Sequence, residues 1–246
     1  VLERLKEDLS PEQISGILKE GLYVEMQGKT VCHETIYQCV YTGNGKYGGI
    51  YKHLRRQTKK RKRRGKRKPH KGKITERISI HDRPKLIDEK KRYGDFEADL
   101  LESPRTDSHA LSVHYERKSQ FVKLHRVENK TAEQTNGAIL KTKQFLPKGF
   151  LKSITFDNGS ETSKHHELRY GHDIETYHCD PYSSWQKGGV ENMNGLIRQY
   201  IPKGAKISEY TDAEIQEIEN KLNNRPRKFH NYLTPLKILE NHWGGH

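Results

Sequence analysis

The stretch that decides the fold is Gly94-Asp95-Phe96-Glu97-Ala98-Asp99-Leu100, in which acidic and apolar residues alternate. Alternation with a period of two is typical of a β-strand, and it places Asp95, Glu97 and Asp99 on one face and the apolar residues on the other. An apolar sheet core gives no packing reason for acids, so this acidic face indicates chemistry. The alternation alone does not choose among the three acids.

Two further acids stand where side chains can converge on such a strand. Ile154-Thr155-Phe156-Asp157-Asn158-Gly159 predicts a buried strand ending at Asp157, although Asp-Asn-Gly is also good turn chemistry and the signal is weak by itself. Glu191 begins a predicted helix after the loop of residues 180–189. Arg198 follows two helical turns later on nearly the same face, so both side chains can point at one ligand.

The surrounding sequence, residues 93–246, predicts a mixed α/β sheet. Three strands follow one another in hairpin order, and later strands alternate with helices, which favours one sheet covered by helices. The predicted strands are residues 96–101, 110–115, 121–127, 153–157 and 174–178, and the predicted helices are residues 131–145 and 190–200.

Carboxylates from separate elements form an all-oxygen site that suits Mg²⁺ or Mn²⁺ and does not suit zinc. Two such ions about 4 Å apart would activate an attacking oxygen and stabilise the leaving oxygen of an in-line phosphoryl displacement. The three cysteines, Cys32, Cys39 and Cys179, have no zinc-ligand spacing and indicate no disulfide framework.

Residues 1–45 predict two short helices around a glycine-containing turn. Ser10-Pro11-Glu12-Gln13 has the pattern of a capping box and begins the first helix, and residues 33–41 form the second. This arrangement predicts a helix-turn-helix-like DNA-binding unit, with a plain helical hairpin as the alternative. Three side chains near the start of the second helix would read base edges: His33, Glu34 and Gln38.

Residues 46–92 are predicted to form a basic flexible linker. The chain has a formal charge of +14, and residues 52–73 alone contain 14 Lys or Arg and no acid, so the remainder is formally neutral. A segment with almost no apolar residues cannot fold alone, and its charge predicts salt-dependent binding to DNA phosphates. A nuclear-localisation run or a solvated charge tract is the alternative. The expected phosphate contacts are Lys59, Lys60, Arg61, Lys62, Arg63, Arg64, Lys66, Arg67 and Lys68.

The composition of the chain limits the size of its cores and the classes of protein to which it can belong. Only 31% of the residues are apolar, which predicts modest cores and more than one unit. No apolar run reaches the roughly 18 residues of a membrane span, and the N-terminus lacks a secretory pattern, so we expect a soluble intracellular protein with no membrane partner. The chain begins at Val1 inside a helical pattern, so we expect an N-terminally truncated unit.

Several long blocks resemble, in order, those of bacterial DDE insertion-sequence transposases, and in particular the family named after insertion sequence thirty. The 33 residues between Asp157 and Glu191 match the interval in that family. The resemblance covers residues 75–240 densely and the N-terminal helices more loosely. Its blocks are residues 94–99, Glu116-Arg117-Lys118-Ser119, residues 154–159, residues 180–188, residues 191–200 and residues 222–227.

The resemblance implies a ribonuclease H-like fold similar to retroviral integrase cores. It assigns the first catalytic aspartate to Asp99, the second to Asp157 and the glutamate to Glu191, with Arg198 as the basic residue that follows. It further implies Mg²⁺ as the cofactor, with two ions and with Mn²⁺ able to substitute. The implied reaction is nicking at element ends, followed by attack of the freed 3′-hydroxyl on target DNA.

The same resemblance implies double-stranded DNA partners, namely terminal inverted repeats and target DNA. A homo-oligomer associated with the bacterial nucleoid in the cytoplasm is also implied. Asn192 and Asn194 are candidate DNA contacts, with ordinary helix-surface polarity as the alternative. Asp95 and Glu97 become secondary, and contact with metal or positioning of a neighbour stays open for them. Two aromatic residues would stack on a base or pack beneath the loop: Tyr182 and Trp185.

Three functions therefore compete. A transposase that cuts and joins DNA is the leading interpretation, because the three acids are intact. A truncated, transposition-incompetent remnant that only binds DNA is the second. A stand-alone ribonuclease H-like nuclease is the third. Cys32 stands where the family usually carries Ser, and Cys is a poorer helix cap.

Overall fold

The computed structural model describes residues 1–42, 49–55, 76–181 and 183–243, without the side chains of Thr42 and Ser184. The predicted phosphate contacts of residues 59–68 lie outside this part of the chain, as does Tyr182. The chain divides into two compact units, one of Val1–Lys66 with Asn224–His246 and one of Arg67–Asn223. The domain boundaries expected from the sequence, residues 1–45, 46–92 and 93–246, stay predictions.

The larger unit is built on a five-stranded sheet of order β3-β2-β1-β4-β5. The first three strands pair antiparallel, and β4 and β5 run parallel to β1. Together with the helices described below, this is the ribonuclease H-like mixed sheet that the sequence predicted, and the fold class is confirmed. The strands are β1 (Asp95–Glu102), β2 (Ala110–Glu116), β3 (Val122–Val127), β4 (Ser153–Phe156) and β5 (Glu175–His178).

Helices cover both faces of this sheet because alternate strand residues are apolar on each side. Leu101 of β1 belongs to a core that includes residues of α7 and α8, whereas Leu100 packs with α5 on the opposite face. The segment before β1 is also folded, since α4 buries Ile87. The helices of this unit are α4 (Lys85–Asp88), α5 (Ala132–Phe145), α6 (His165–His172), α7 (Gly188–Ile197) and α8 (Asp212–Asn223).

The loop of residues 180–189 is shorter than the sequence predicted. A 3₁₀ turn, Ser184–Lys187, leads directly into α7, so that helix begins at Gly188 and ends at Ile197 instead of covering residues 190–200. Trp185 in this turn is 72% exposed, so packing beneath the loop is wrong for it.

The smaller unit contains α1 (Leu2–Lys6), α2 (Pro11–Lys19), α3 (His33–Thr42) and α9 (Pro235–Trp243). The predicted capping box is present, because the hydroxyl of Ser10 accepts from the Gln13 amide at 3.2 Å and the Gln13 side chain accepts from the Ser10 amide at 2.9 Å. The C-terminal segment belongs to this unit: Arg225 donates to the carbonyl of Asp8 at 2.6 Å. No helix in the described ranges is both long and apolar enough to cross a membrane.

Candidate active site

The register of β1 and β4 places Asp99 and Asp157 side by side. The two strands are parallel, with Glu97 opposite Thr155, and each aspartate stands two residues further along its own chain. Residues two apart in a strand share a face, and neighbouring strands lie about 4.8 Å apart. The two carboxylates therefore meet on one side of the sheet, at the carboxyl edge of its parallel strands.

A single ammonium group lies between these two carboxylates. Lys187 Nζ is 3.3 Å from Asp99 Oδ1 and 3.7 Å from Asp157 Oδ2, and it donates to the carbonyl of Ala98 at 2.9 Å. Its side chain is 6% exposed, whereas the side chains of Asp99 and Asp157 are 28% and 48% exposed. Burial by itself lowers the pKa of a lysine, but the two carboxylates outweigh it, and the pKa of Lys187 is raised. Lys187 is therefore charged, and sequence reasoning missed it because it looks like an ordinary loop lysine.

Helix α7 carries two predicted site residues, Glu191 and Asn194. Asn194 donates from Nδ2 to Asp99 Oδ2 at 2.5 Å, and its buried Oδ1 has no hydrogen-bond partner among the described residues. Glu191 lies three residues earlier in the helix and is exposed, so its side chain leaves the same face one turn away. The contacts of Asn192 and Asn194 with DNA stay predictions, and the structure gives Asn194 a second task at Asp99.

Glu97 fixes the start of this helix. One of its carboxylate oxygens forms an ion pair with Arg117, and the other accepts from the backbone N–H of Val190 at 2.8 Å. Both charged side chains are buried. A Cβ added to Gly189 would lie 2.3 Å from Tyr115 and 2.8 Å from Glu97, which explains the glycine at this close approach. Positioning of a neighbour is thus the task that the structure gives Glu97.

Asp95 is also used inside the fold. Its carboxylate accepts from Arg92 Nη2 at 2.7 Å and from the hydroxyl of Ser153 at 2.6 Å, and it is fully buried. Of the three acids on this face of β1, Asp99 is the one whose carboxylate reaches the open edge of the sheet.

A fourth carboxylate lies near the pair. Glu161, in the 3₁₀ turn Ser160–Thr162, lines a cavity of about 10 Å³ together with Asp99 and Asp157. This space is about the minimum that holds one water molecule. Burial raises the pKa of Glu161, the two aspartates raise it further and Lys187 lowers it. The signal for Glu161 in the sequence is its place four residues after Asp157.

Arg198 caps the end of α7. Its guanidinium donates to the carbonyls of Glu102, Ile201 and Pro202 over 3.3–3.5 Å. Burial lowers its pKa. The contact that the sequence suggested between Arg198 and an incoming phosphate stays a prediction.

Asp99 and Asp157 are the residues of this edge that could hold a metal ion. In the described part of the chain, no three His, Cys, Asp or Glu side chains are grouped so that they could hold a metal ion. Asp99 and Asp157 nevertheless fit a hard divalent cation, because their carboxylates already flank one positive charge and offer only oxygen donors. The third ligand predicted from the sequence, Glu191 on α7, stays a prediction.

The predicted DNA-reading residues lie on the exposed side of α3. His33, Glu34 and Gln38 are all exposed, and base reading by them stays a prediction. Cys32 caps this helix as expected from its position: its sulfur accepts from the Thr35 amide at 3.4 Å. Hydrogen bonds from Thr35 lower the pKa of the Cys32 thiol.

Known transposases are similar to this chain over nearly its whole length. The transposase for insertion sequence element IS4351 of Bacteroides fragilis is 39% identical over 96% of this chain and 70% of its own length. The transposase for IS1086 of Cupriavidus metallidurans is 35% identical over 96% of this chain and 69% of its own length. The transposase InsI for IS30A of Escherichia coli K12 is 37% identical over 98% of this chain and 63% of its own length.

Solved integrase cores are similar at a lower level, and no protein-family model matches the chain. The catalytic core domain of BIV integrase is 20% identical and covers 62% of this chain and 97% of its own, with a TM-score of 0.48. The HTLV-2 integrase catalytic core domain in complex with magnesium is 19% identical over 60% of this chain and 96% of its own, with a TM-score of 0.46. By its likeness to the curated relatives, the chain belongs to the family of insertion-sequence transposases that includes those of IS30, IS4351 and IS1086.

Proposed function

We propose that this chain catalyses metal-dependent cleavage and transfer of DNA strands at the ends of an insertion sequence. Membership of the transposase family supports the reaction class. The observation that carries the assignment of the site is the meeting of Asp99 and Asp157 around one buried cation at the carboxyl edge of the sheet. Ligand sites in open α/β sheets lie at this edge.

In this proposal Asp99, Asp157 and Glu191 hold Mg²⁺, with two ions in the complete site and Mn²⁺ able to substitute. When bound, the metal activates the attacking oxygen and stabilises the leaving oxygen of the phosphoryl displacement. Asn194 orients the carboxylate of Asp99 through its 2.5 Å hydrogen bond. Arg198 contacts the phosphate that enters next to α7.

Double-stranded DNA is the proposed partner. The exposed residues His33, Glu34 and Gln38 would read the terminal inverted repeats, and the basic segment of residues 59–68 would bind phosphates without sequence preference. Two element ends must be held together for transfer, so we propose a homo-oligomer that works on the bacterial nucleoid in the cytoplasm.

The test is incubation of the chain with Mg²⁺ and a duplex that carries the inverted repeats flanking its gene. We expect nicked ends and joined strand-transfer products, both lost in Asp99→Asn, Asp157→Asn and Glu191→Gln. Glu217→Gln, an exposed acid on α8, is the matched control and should retain both products.

Other outcomes separate the competing functions. Cleavage without joining would indicate the stand-alone nuclease. Binding of the duplex with no cleavage would indicate the DNA-binding remnant. Products that persist in Asp99→Asn would reject the proposed site even if the chain transposes.

A further inference from the structure

We propose that Lys187 is an internal counter-ion that holds Asp99 and Asp157 together before metal binds and is displaced from between them when metal arrives. This inference rests on the proposed function, because it concerns the same carboxylates. It adds a positioning residue to the site and gives metal binding a competitor that belongs to the protein itself.

The two carboxylates at the edge of the sheet need a positive charge between them. Strand register brings two carboxylates to adjacent positions, where their mutual repulsion would push them apart. The ammonium of Lys187 contacts both of them, at 3.3 and 3.7 Å, and its side chain is buried. The carbonyl of Ala98 is its uncharged acceptor, at 2.9 Å, and fixes the position of the nitrogen.

A metal ion and this ammonium cannot both lie between Asp99 and Asp157. Mg²⁺ binds oxygen at about 2.0–2.1 Å, so an ion that both aspartates ligate must lie between them. Lys187 Nζ already lies between the same two carboxylates. Two cations at one point repel each other, and the flexible four-carbon stem of lysine allows its head group to withdraw.

The position of Lys187 in the chain connects the two aspartates to helix α7. Lys187 ends the 3₁₀ turn Ser184–Lys187 and directly precedes α7, four residues before Glu191. While the ammonium is held by the two aspartates, the first turn of α7 is tied to them. Displacement of Lys187 would remove this tie, while the contacts of Gly189 and Val190 with the sheet would keep the start of the helix in place.

The experiment measures metal binding without DNA or catalysis. The full chain, Lys187→Met and Lys187→Arg are titrated with Mn²⁺ by calorimetry, and their thermal midpoints are recorded with and without the ion. Lys164→Met is the matched control, because Lys164 pairs with Glu133 on the exposed surface of the same unit.

For Lys187→Met we expect a lower thermal midpoint in the absence of metal, because the two aspartates lose their counter-ion. We also expect a Kd for Mn²⁺ at least about tenfold lower than that of the unmodified chain, since no ammonium must be expelled. Lys187→Arg keeps the charge and should bind Mn²⁺ no more tightly than the unmodified chain. If Lys187→Met fails to fold without metal, refolding in Mn²⁺ supports the same conclusion.

An unchanged or higher Kd in Lys187→Met would overturn the inference, because the ammonium then does not compete with metal. Binding of Mn²⁺ that is unaffected by both Asp99→Asn and Asp157→Asn would instead reject the metal site of the proposed function. The two failures are therefore distinguishable.

Discussion

Asp95, Glu97 and Asp99 share one face of β1, yet their neighbours give them different tasks. Asp95 and Glu97 are buried against Arg92 and Arg117, where a charge is stable only when it is paired. Asp99 contacts Lys187 from the open edge and keeps part of its carboxylate in solvent. Asp99 is therefore available to an incoming ligand, whereas Asp95 and Glu97 stabilise the fold.

Glu97→Gln tests the structural task. The change leaves the buried guanidinium of Arg117 without a charged partner, so we expect a loss of about 3 kcal/mol in the free energy of unfolding. Urea denaturation followed by circular dichroism measures it. Glu217→Gln, exposed and paired with Lys221, should change stability by less than about 0.5 kcal/mol. Equal losses in the two variants would show that the ion pair of Glu97 with Arg117 does not stabilise the fold.

His178 is expected to make the stability of the larger unit depend on pH. It is fully buried between Phe156 and His165, neither ring nitrogen has a hydrogen-bond partner in the described part of the chain, and burial lowers its pKa to about 3. Because the unfolded chain takes up the proton at about pH 6.5, the stability that the neutral ring provides is present above pH 6.5 and is lost as the pH falls towards 3.

His178→Phe removes this dependence. Between pH 5.5 and 4.5, the variant should gain about 1.3 kcal/mol over the unmodified chain, as measured by urea unfolding at several pH values. At pH 7.5 the removal of unpaired nitrogens should add about 1 kcal/mol or less. A difference between the two proteins that is the same at pH 5 and pH 7.5 would contradict this account.

Helix α7 carries Glu191 and Asn194, and its first turn is placed by close packing. The backbone at Gly189 approaches Tyr115 and Glu97 so closely that no side chain fits. The hydrogen bond from the Val190 amide to Glu97 also orients the first turn of the helix. The start of α7 is therefore set by the sheet beneath it.

Gly189→Ala should displace that turn. Overpacking of this kind costs about 1–3 kcal/mol, and DNA cleavage should fall as well because Glu191 lies two residues away. Gly188→Ala is the control: nothing lies within 4 Å of its added Cβ, and alanine favours the helix by up to about 1 kcal/mol. Thermal midpoints and cleavage rates of the two variants should move apart, and similar values in both would refute the packing argument.

Local patterns predicted the strands and the capped helix α2 because each rests on residues close in sequence. They gave no bounds for α8, where the buried Glu219, which accepts from Lys123 at 2.7 Å, interrupts the apolar face. They left three acids open on β1, because the choice of Asp99 depends on the register with β4. Lys187 was missed for the same reason: its partners come together only in the folded sheet.

Across the whole chain, positive charge and chemistry are separated. The excess of bases lies in residues 52–73, whereas the acids of the site belong to a formally neutral remainder. Affinity for DNA and catalysis should therefore respond to different changes. The basic residues lie mostly outside the described ranges, so this expectation comes from the sequence.

Replacement of the nine basic residues between Lys59 and Lys68 by Gln tests the separation. If each contacts one phosphate, the slope of log affinity against log salt concentration should become shallower by about 8. Fluorescence anisotropy with a labelled duplex at several salt concentrations measures the slope. Asp99→Asn should leave the slope unchanged, and an equal slope in the Gln variant would show that the segment does not bind phosphates.

We propose that Asp99, Asp157 and Glu191 surround the catalytic metal. Fe²⁺ in place of Mg²⁺, with ascorbate and peroxide, generates radicals that cut the polypeptide next to the bound ion. We expect cuts near residues 99, 157 and 191 that excess Mg²⁺ suppresses and that Asp99→Asn abolishes. Cuts clustered elsewhere in the chain, or cuts that persist unchanged in Asp99→Asn, would contradict it.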